Sequence, residues 1–270
     1  SVVHKMLAIL EHTDLAPRVA AAMGWGEGAA ELVTLSCVLA AAVHDYEHKG
    51  VTNGFLVKTM DDWAIRYNDC HVSENHHIAA AFALLRLPET SFLEGLSPAD
   101  FRRVRSLVVP MVLGTDLVEH RGILKAFGEA FGEEVGRAPA TEREALLLLK
   151  VVIKACDLGH LTLPWSSHLG WVARLEEELF AQGDRERDLG LSPLSPMTDR
   201  GLPGVAETQT GFLSGMALPL FGALAHSLPD ARPMLHAVEE NARRWQEAAA
   251  TPGGVEQEMR AARGRARCAA

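Results

Sequence analysis

The segment Ala41-Ala42-Val43-His44-Asp45-Tyr46-Glu47-His48-Lys49-Gly50-Val51-Thr52-Asn53-Gly54-Phe55 decides how the rest of the chain is read. It closes a run from Ala29 to Val43 that is apolar, alanine-rich and free of glycine and proline. That composition predicts one helix, delivering the chain directly to His44. His44 and His48 are four apart and share a face if the helix continues through them, and Asp45 follows His44 immediately. Gly50 is the expected left-handed residue that ends the turn. Imidazole and carboxylate without thiolate suit zinc, magnesium or manganese. A lone His-Asp pair is more often a surface or capping feature, so a metal reading needs ligands from elsewhere.

Two further stretches supply them. Tyr67-Asn68-Asp69-Cys70-His71-Val72-Ser73-Glu74-Asn75-His76-His77 adds a second ring of imidazole and carboxylate that could orient first ligands or bound water. The apolar run Glu144 to Ala155 leads into Cys156-Asp157-Leu158-Gly159-His160, presenting Asp157 from a distant part of the chain. Between and beyond these, Val2 to Leu10 is a short apolar segment, and helical spacing marks Asp61 to Tyr67, Glu74 to Leu85, Ala99 to Leu113 (with Pro110 as a kink), and Leu117 to Phe127. It returns in Trp165 to Gln182, in Val205 to Ala225 broken at Pro219, and in Arg232 to Ala248. Loops are expected at Thr13 to Glu27, Pro88 to Pro98, Gly128 to Arg143 and Gly183 to Pro203, where glycine and proline concentrate. β-branched runs of period two are almost absent, so the expected fold is all-α, a compact multi-helix single domain over residues 1–248. Residues 249–270, with Arg260, Arg263, Arg265 and Arg267, are expected to be a flexible basic tail.

The 270 residues, 48% hydrophobic and 23% charged, are ordinary for a water-soluble core-forming chain. A net charge of −9 argues against a nucleic-acid surface, which needs a basic stripe. It also sits oddly with an anionic substrate unless bound metal supplies local positive charge. Cys37, Cys70, Cys156 and Cys268 are scattered without CxxC spacing and read as free thiols of a reducing, cytoplasmic setting. No apolar run is long enough to span a membrane, so no membrane contact is expected from this chain.

HDYEHKGVTNGFLVKT followed by AIRYNDCHVSENHH resembles the catalytic domain of the class I 3′,5′-cyclic-nucleotide phosphodiesterases, an HD-type metal phosphohydrolase group. Later segments agree in order and spacing. They are Val112 to Asp116 with His120, Lys154 to Leu158, Glu176 to Phe180 followed by QGDRERDLGLSPLSPMTDR, and Gln209-Thr210-Gly211-Phe212. The resemblance implies hydrolysis of cAMP, cGMP or both to the 5′-nucleoside monophosphate in signal transduction. It implies two divalent metals, zinc and magnesium (or manganese), sharing one aspartate and a bridging hydroxide. It carries the zinc ligands onto His4, His44, Asp45 and Asp157, with Asp45 also on the second metal. His48, Glu74, His76, Thr115 and Asp116 would hold or border that metal's water shell, His48 in a supporting catalytic role. Asp45, Asp157 and His160 would border the nucleotide, Gln209 would read the purine, and Phe212 and Leu175 would stack on its two faces. Lys154 stands where a histidine is common, though relatives also carry lysine there.

The resemblance also implies departures. If His4 closes the family's H-N-x-x-H motif, the proton-donor histidine falls one position before Ser1, Ser1 replaces the asparagine, and Leu7 stands where aspartate is usual. The catalytic domain is then truncated at its N-terminus, and the 270-residue chain is expected to bind metal but turn over slowly, since a positioned acid contributes about 100- to 10,000-fold. Two other readings stay open at this point. One is a nucleotide-binding module without catalysis, and the other is an HD-type phosphohydrolase of other nucleotides, which has no need of the Gln209–Phe212 clamp.

Overall fold

The computed structural model of the chain describes residues 1–26, 28–191, 196–200, 205–251, 253 and 255–268. Fourteen α-helices follow one another, and no strand occurs among the described residues. In order they are α1 (Val2–His12), α2 (Leu15–Ala22), α3 (Ala29–Val43), α4 (Asn53–Lys58), α5 (Asp62–Arg66), α6 (Val72–Leu84) and α7 (Pro98–Leu113). Then come α8 (His120–Phe131), α9 (Glu142–Asp157), α10 (Trp165–Asp188), α11 (Val205–Phe212), α12 (Leu218–Ser227), α13 (Arg232–Ala250) and α14 (Glu256–Cys268). No helix among the described residues is long and apolar enough to cross a membrane.

Local chemistry sets the helix starts. Ser1, Thr52, Asp61, Ser97 and Thr141 each accept a backbone N–H of the first turn through a side-chain oxygen, capping α1, α4, α5, α7 and α9. Pro98 then occupies the first turn of α7, where its missing N–H has no intrahelical partner to lose. The main core is built on α3, α7, α9 and α12. Val33, Cys37, Ala40, Val104, Leu107, Met111, Leu148, Val152, Phe221 and Leu224 are all shielded from water there. Every residue of α9 from Val151 to Cys156 is buried, which suits a central helix with neighbours on several sides. A second, smaller cluster of Val51, Phe55, Leu56, Ala64 and Val72 lies beneath the segment between α3 and α6. That segment therefore has its own apolar support, separate from the main core.

Several sequence expectations need correction. α3 stops at Val43 and His44 is its C-terminal cap, so His44 and His48 are joined by turns rather than by one continuous helix. Gly50 does take a left-handed conformation, with φ +67°. Residues 13–27 hold α2, since Pro17 falls within the first turn, where proline is tolerated. Residues 128–143 are tied down: Phe131 is buried, Gly136 N–H donates to the His226 carbonyl, and Arg137 binds Glu144. Pro219 starts α12 after a π-helical turn, Leu213–Ala217, that absorbs the break.

α10 runs through Gly183 to Asp188, so the first part of the expected loop is helical, and Pro196–Thr198 form a 3₁₀ turn; residues 192–195 and 201–204 of that loop, and of the QGD-to-TDR motif, lie outside the described residues. Gly183 permits a close approach that composition cannot show. A Cβ there would sit 1.9 Å from the Thr198 carbonyl oxygen. The tail is likewise not loose through residues 256–268: α14 packs along α10, with Val255, Met259 and Ala262 buried and Arg263 paired to Glu176. The spacing of 255, 259 and 262 is a helical stripe that the surrounding arginines conceal.

Candidate metal centre and nucleotide site

His44 sits where α3 ends, and its ring is fixed from behind. Nδ1 lies 3.0 Å from the Ala41 carbonyl, which can only accept, so Nδ1 carries the proton. Nε2 then points at Asp45 Oδ2 at 3.1 Å and Asp157 Oδ1 at 3.3 Å. Neither contact is an aligned hydrogen bond, and Nε2 is a buried atom without a hydrogen-bond partner. A neutral imidazole so placed aims a lone pair at two carboxylates. Only a proton or a cation between them relieves that. Burial works to lower the His44 pKa, but the interactions with Asp157 and Asp45 prevail and push it up to about 10. Asp45 is held low in turn: burial opposes ionisation, and His44, His48 and His77 outweigh it. The donor set of one nitrogen and two carboxylates fits a divalent cation.

Three groups of ligand-bearing side chains have their ligand atoms within 4.8 Å of one another among the described residues. The first is His44, Asp45 and Asp157. The second is Asp45, His48 and His77, so Asp45 is common to both. The third is His71, Glu74 and Asp116. In the second group, His77 is anchored through Nδ1 to the Tyr46 carbonyl at 2.5 Å. Burial holds the His77 pKa down, so it stays neutral and its Nε2 remains available. His48 accepts the Gly50 N–H at Nδ1, leaving its proton on Nε2.

The third group is tied together by Asn53, whose Nδ2 donates to Glu74 Oε2 at 2.8 Å and reaches Asp116 Oδ2 at 3.4 Å. Asn53 Oδ1 accepts the Ser73 N–H, so the same side chain also holds the start of α6. His71 Nδ1 lies 2.9 Å from Asp116 Oδ2. Burial raises the Glu74 pKa. Thr115 is buried with its hydroxyl donated to the Val112 carbonyl. His76 binds Glu47 at 2.7 Å and stacks on Trp63 with ring centroids 3.5 Å apart. The backbone of this region is strained. The five non-glycine residues described with positive φ, namely Glu47, Met60, Asn68, Asp69 and His71, all lie between α3 and α6. Such conformations cost about 1–3 kcal/mol each and cluster at functional sites.

The remaining predicted residues are placed less tightly. His4 is exposed on the first turn of α1, with Nδ1 3.2 Å from Ser1 Oγ, and it joins none of the three groups. α1 does pack on α3, on α9 and on the 3₁₀ turn Leu158–Thr162, the elements that carry His44, Asp157 and His160. His160 is stacked on His168 at 5.4 Å, and burial holds its pKa down to about 4. Gln209 is buried on α11, Phe212 ends that helix half-buried against the main core, and Leu175 on α10 is 42% exposed. Sequence reasoning gave no role to His71 or Asn53, although both lie inside the quoted segments. It also passed over Gln182, which accepts the Thr52 N–H at 2.8 Å and ties α10 to the start of α4. Polar side chains at loop–helix joints were the available signal.

The comparisons with known proteins agree on one family. The sequence model for 3′5′-cyclic nucleotide phosphodiesterase matches residues 1–238. A probable 3′,5′-cyclic phosphodiesterase, pde-3, of Caenorhabditis elegans is 40% identical over 223 residues, covering 80% of this chain and 32% of that protein. The dual specificity calcium/calmodulin-dependent 3′,5′-cyclic nucleotide phosphodiesterase 1 of Drosophila melanogaster is 41% identical over 202 residues, covering 73% of this chain and 23% of that one. The chain therefore spans about a third or less of the length of these curated relatives. Among solved structures, the phosphodiesterase domain of the RhoPDE fusion protein from the choanoflagellate Salpingoeca rosetta superposes with a TM-score of 0.82 at 26% identity. That match covers 92% of this chain and 75% of that one. Residues 1–238 fit the family model and the helical fold matches a solved phosphodiesterase domain, so the chain belongs to the 3′5′-cyclic nucleotide phosphodiesterase family.

Proposed function

We propose that this chain hydrolyses the 3′,5′ ring of cAMP, cGMP or both to the 5′-nucleoside monophosphate, in cyclic-nucleotide signalling. The observation that carries the reading is the buried His44 Nε2, fixed by Ala41 and facing both Asp45 and Asp157 without a hydrogen-bond partner. His44, Asp45 and Asp157, with His4 as the fourth ligand, would hold zinc. Asp45 would also serve magnesium or manganese, with His48, Glu74, His76, Thr115 and Asp116 bordering its water. When bound, such a pair supplies hydroxide near neutral pH and positive charge beside the phosphate. The positive charge is what a protein of net charge −9 needs to hold an anion.

The chain's own residues would do the rest. His48 keeps its proton on Nε2 and is exposed, so it would hold the phosphate while the oxygen of a water bonds to phosphorus, the P–O3′ bond breaks and a proton of that water ends on O3′. The Gln209 amide both donates and accepts, which suits a purine edge. Phe212 and Leu175 would enclose the base, and His160 would border the sugar or phosphate side with Asp157. A cytoplasmic place of action goes with this reading, supported by Cys37, Cys70 and Cys156 as free thiols.

The test is hydrolysis of cAMP and cGMP side by side, with metal content measured on the same sample. Conversion to the 5′-monophosphate, abolished by EDTA and lowered at least about 100-fold by Asp157→Ala, is expected. Nucleotide binding with no metal-dependent turnover, or full activity in Asp157→Ala, would overturn the reading.

A further inference from the structure

Lys154 is 2% exposed, on the last turns of the central helix α9 and one turn ahead of Asp157. A buried ammonium is costly unless each of its three N–H bonds finds an acceptor. All three do. Nζ donates to the carbonyls of Gly114 at 3.0 Å, Thr115 at 3.1 Å and Asp116 at 3.1 Å. These carbonyls lie just beyond the end of α7, where a helix leaves acceptors unpaired and favours a cation.

The approach of the two elements is close. A Cβ on Gly114 would lie 2.8 Å from Lys150 Cγ and 3.1 Å from the Pro110 carbonyl. The Asp116 side chain then caps the following turn at Val118 N and meets His71 and Asn53. One lysine therefore joins the helix end that bears Asp157 to the segment that bears Thr115 and Asp116. Burial lowers its pKa, and Asp157, Asp116, Glu74 and Glu119 work against that in favour of the charged form.

We propose that Lys154 is a positioning residue for divalent-cation binding, locking Gly114–Asp116 to the end of α9 and so fixing Asp116 relative to Asp157. The inference rests on the metal-binding part of the proposed function and not on turnover. If Lys154 were only filling volume in the core, methionine would replace it with no change at the cation site.

The direct test titrates the chain with Mn²⁺ and follows the free-ion signal by electron paramagnetic resonance, for wild type, Lys154→Met and Lys154→Gln. Circular dichroism and a cooperative melt check that each variant folds. Lys154→Met is expected to raise the half-saturating Mn²⁺ about tenfold, the lower end of what loss of a supporting partner costs a metal site. Lys154→Gln keeps two N–H donors and should fall between the two. A folded Lys154→Met within about twofold of wild type overturns the inference. Should Lys154→Met fail to fold, Lys154→Gln decides, with about threefold weakening supporting the inference and unchanged binding overturning it. Cyclic-nucleotide hydrolysis by the wild-type sample is read separately. Its absence with normal Mn²⁺ uptake would sink the catalytic reading and leave Lys154's role standing.

Discussion

Histidines do three different jobs in this chain, and their surroundings decide which. His44 is poised between carboxylates and held from behind by a carbonyl, an arrangement that suits a metal ligand. His77 is kept neutral by burial. His168 has no exposed surface and accepts the Trp245 indole N–H at 2.8 Å. Burial, and then the neighbouring His160, push its pKa from 6.5 down to about 3. The sign follows directly. Below pH 6.5 the unfolded chain takes up a proton that folded His168 refuses until about pH 3, so its contribution is complete above 6.5 and is lost as pH falls through that window. By pH 5 the loss is about 2 kcal/mol, at about 1.4 kcal/mol per unit. Urea unfolding of wild type and His168→Gln at pH 7 and pH 5 checks it. The glutamine keeps an acceptor for Trp245, and the variant should lose less stability on acidification. Equal losses would show that His168 is not the group responsible. At this scale the grouping of His44, Asp45 and Asp157 was legible, because all three stand in ordered motifs. Lys154, Asn53 and His71 were not, because what makes them matter is a partner 38 to 63 positions away, or 45 for His71.

Elements were read well where an apolar run was uninterrupted and poorly where a breaker residue or a charge run obscured the pattern. α3 begins where its apolar run begins, and amphipathic α13 begins at Arg232 with Pro233 in its first turn, where proline is tolerated. Pro17 and Gly183 misled because each sits where the fold tolerates it, one in a first turn and the other against Thr198. α14 was hidden for a different reason. Its exposed positions carry charge, and Val255, Met259 and Ala262 are buried where it packs along α10. The helix therefore stabilises the fold in proportion to a narrow stripe. Met259 is fully buried, and Met259→Ala should cost about 2–5 kcal/mol if the fold closes around it as other cores do. Chemical denaturation measures this. A change below about 0.5 kcal/mol, the range of ordinary surface substitutions, would mean that α14 does not hold to α10 in solution. Its loss would also free Glu176, which pairs with Arg263 and neighbours Leu175 in sequence.

At the scale of the molecule, the candidate metal groups are where separate parts of the chain converge. The end of α3, the turn after it, the start of α6, the segment after α7 and the end of α9 all contribute. His44 and Asp157 are adjacent only in the folded chain, so a cation gripped by both binds the native state and not the unfolded one. Linkage then makes binding a contribution to folding, about 2.7 kcal/mol when the free ion is at 100 times its Kd. A net charge of −9 offers a rival cause, because any cation would ease the self-repulsion of the folded state. The two are separable, since screening depends on ionic strength and the site depends on His44, Asp45 and Asp157. Unfolding in EDTA, in Zn²⁺ with Mg²⁺, and in KCl at matched ionic strength should show stabilisation by the divalent ions well beyond that of KCl. Asp157→Ala should show the KCl effect alone. Equal stabilisation of wild type by KCl, or an undiminished divalent effect in Asp157→Ala, would locate the stabilisation in the overall charge and leave the carboxylates around His44 without a metal to explain them.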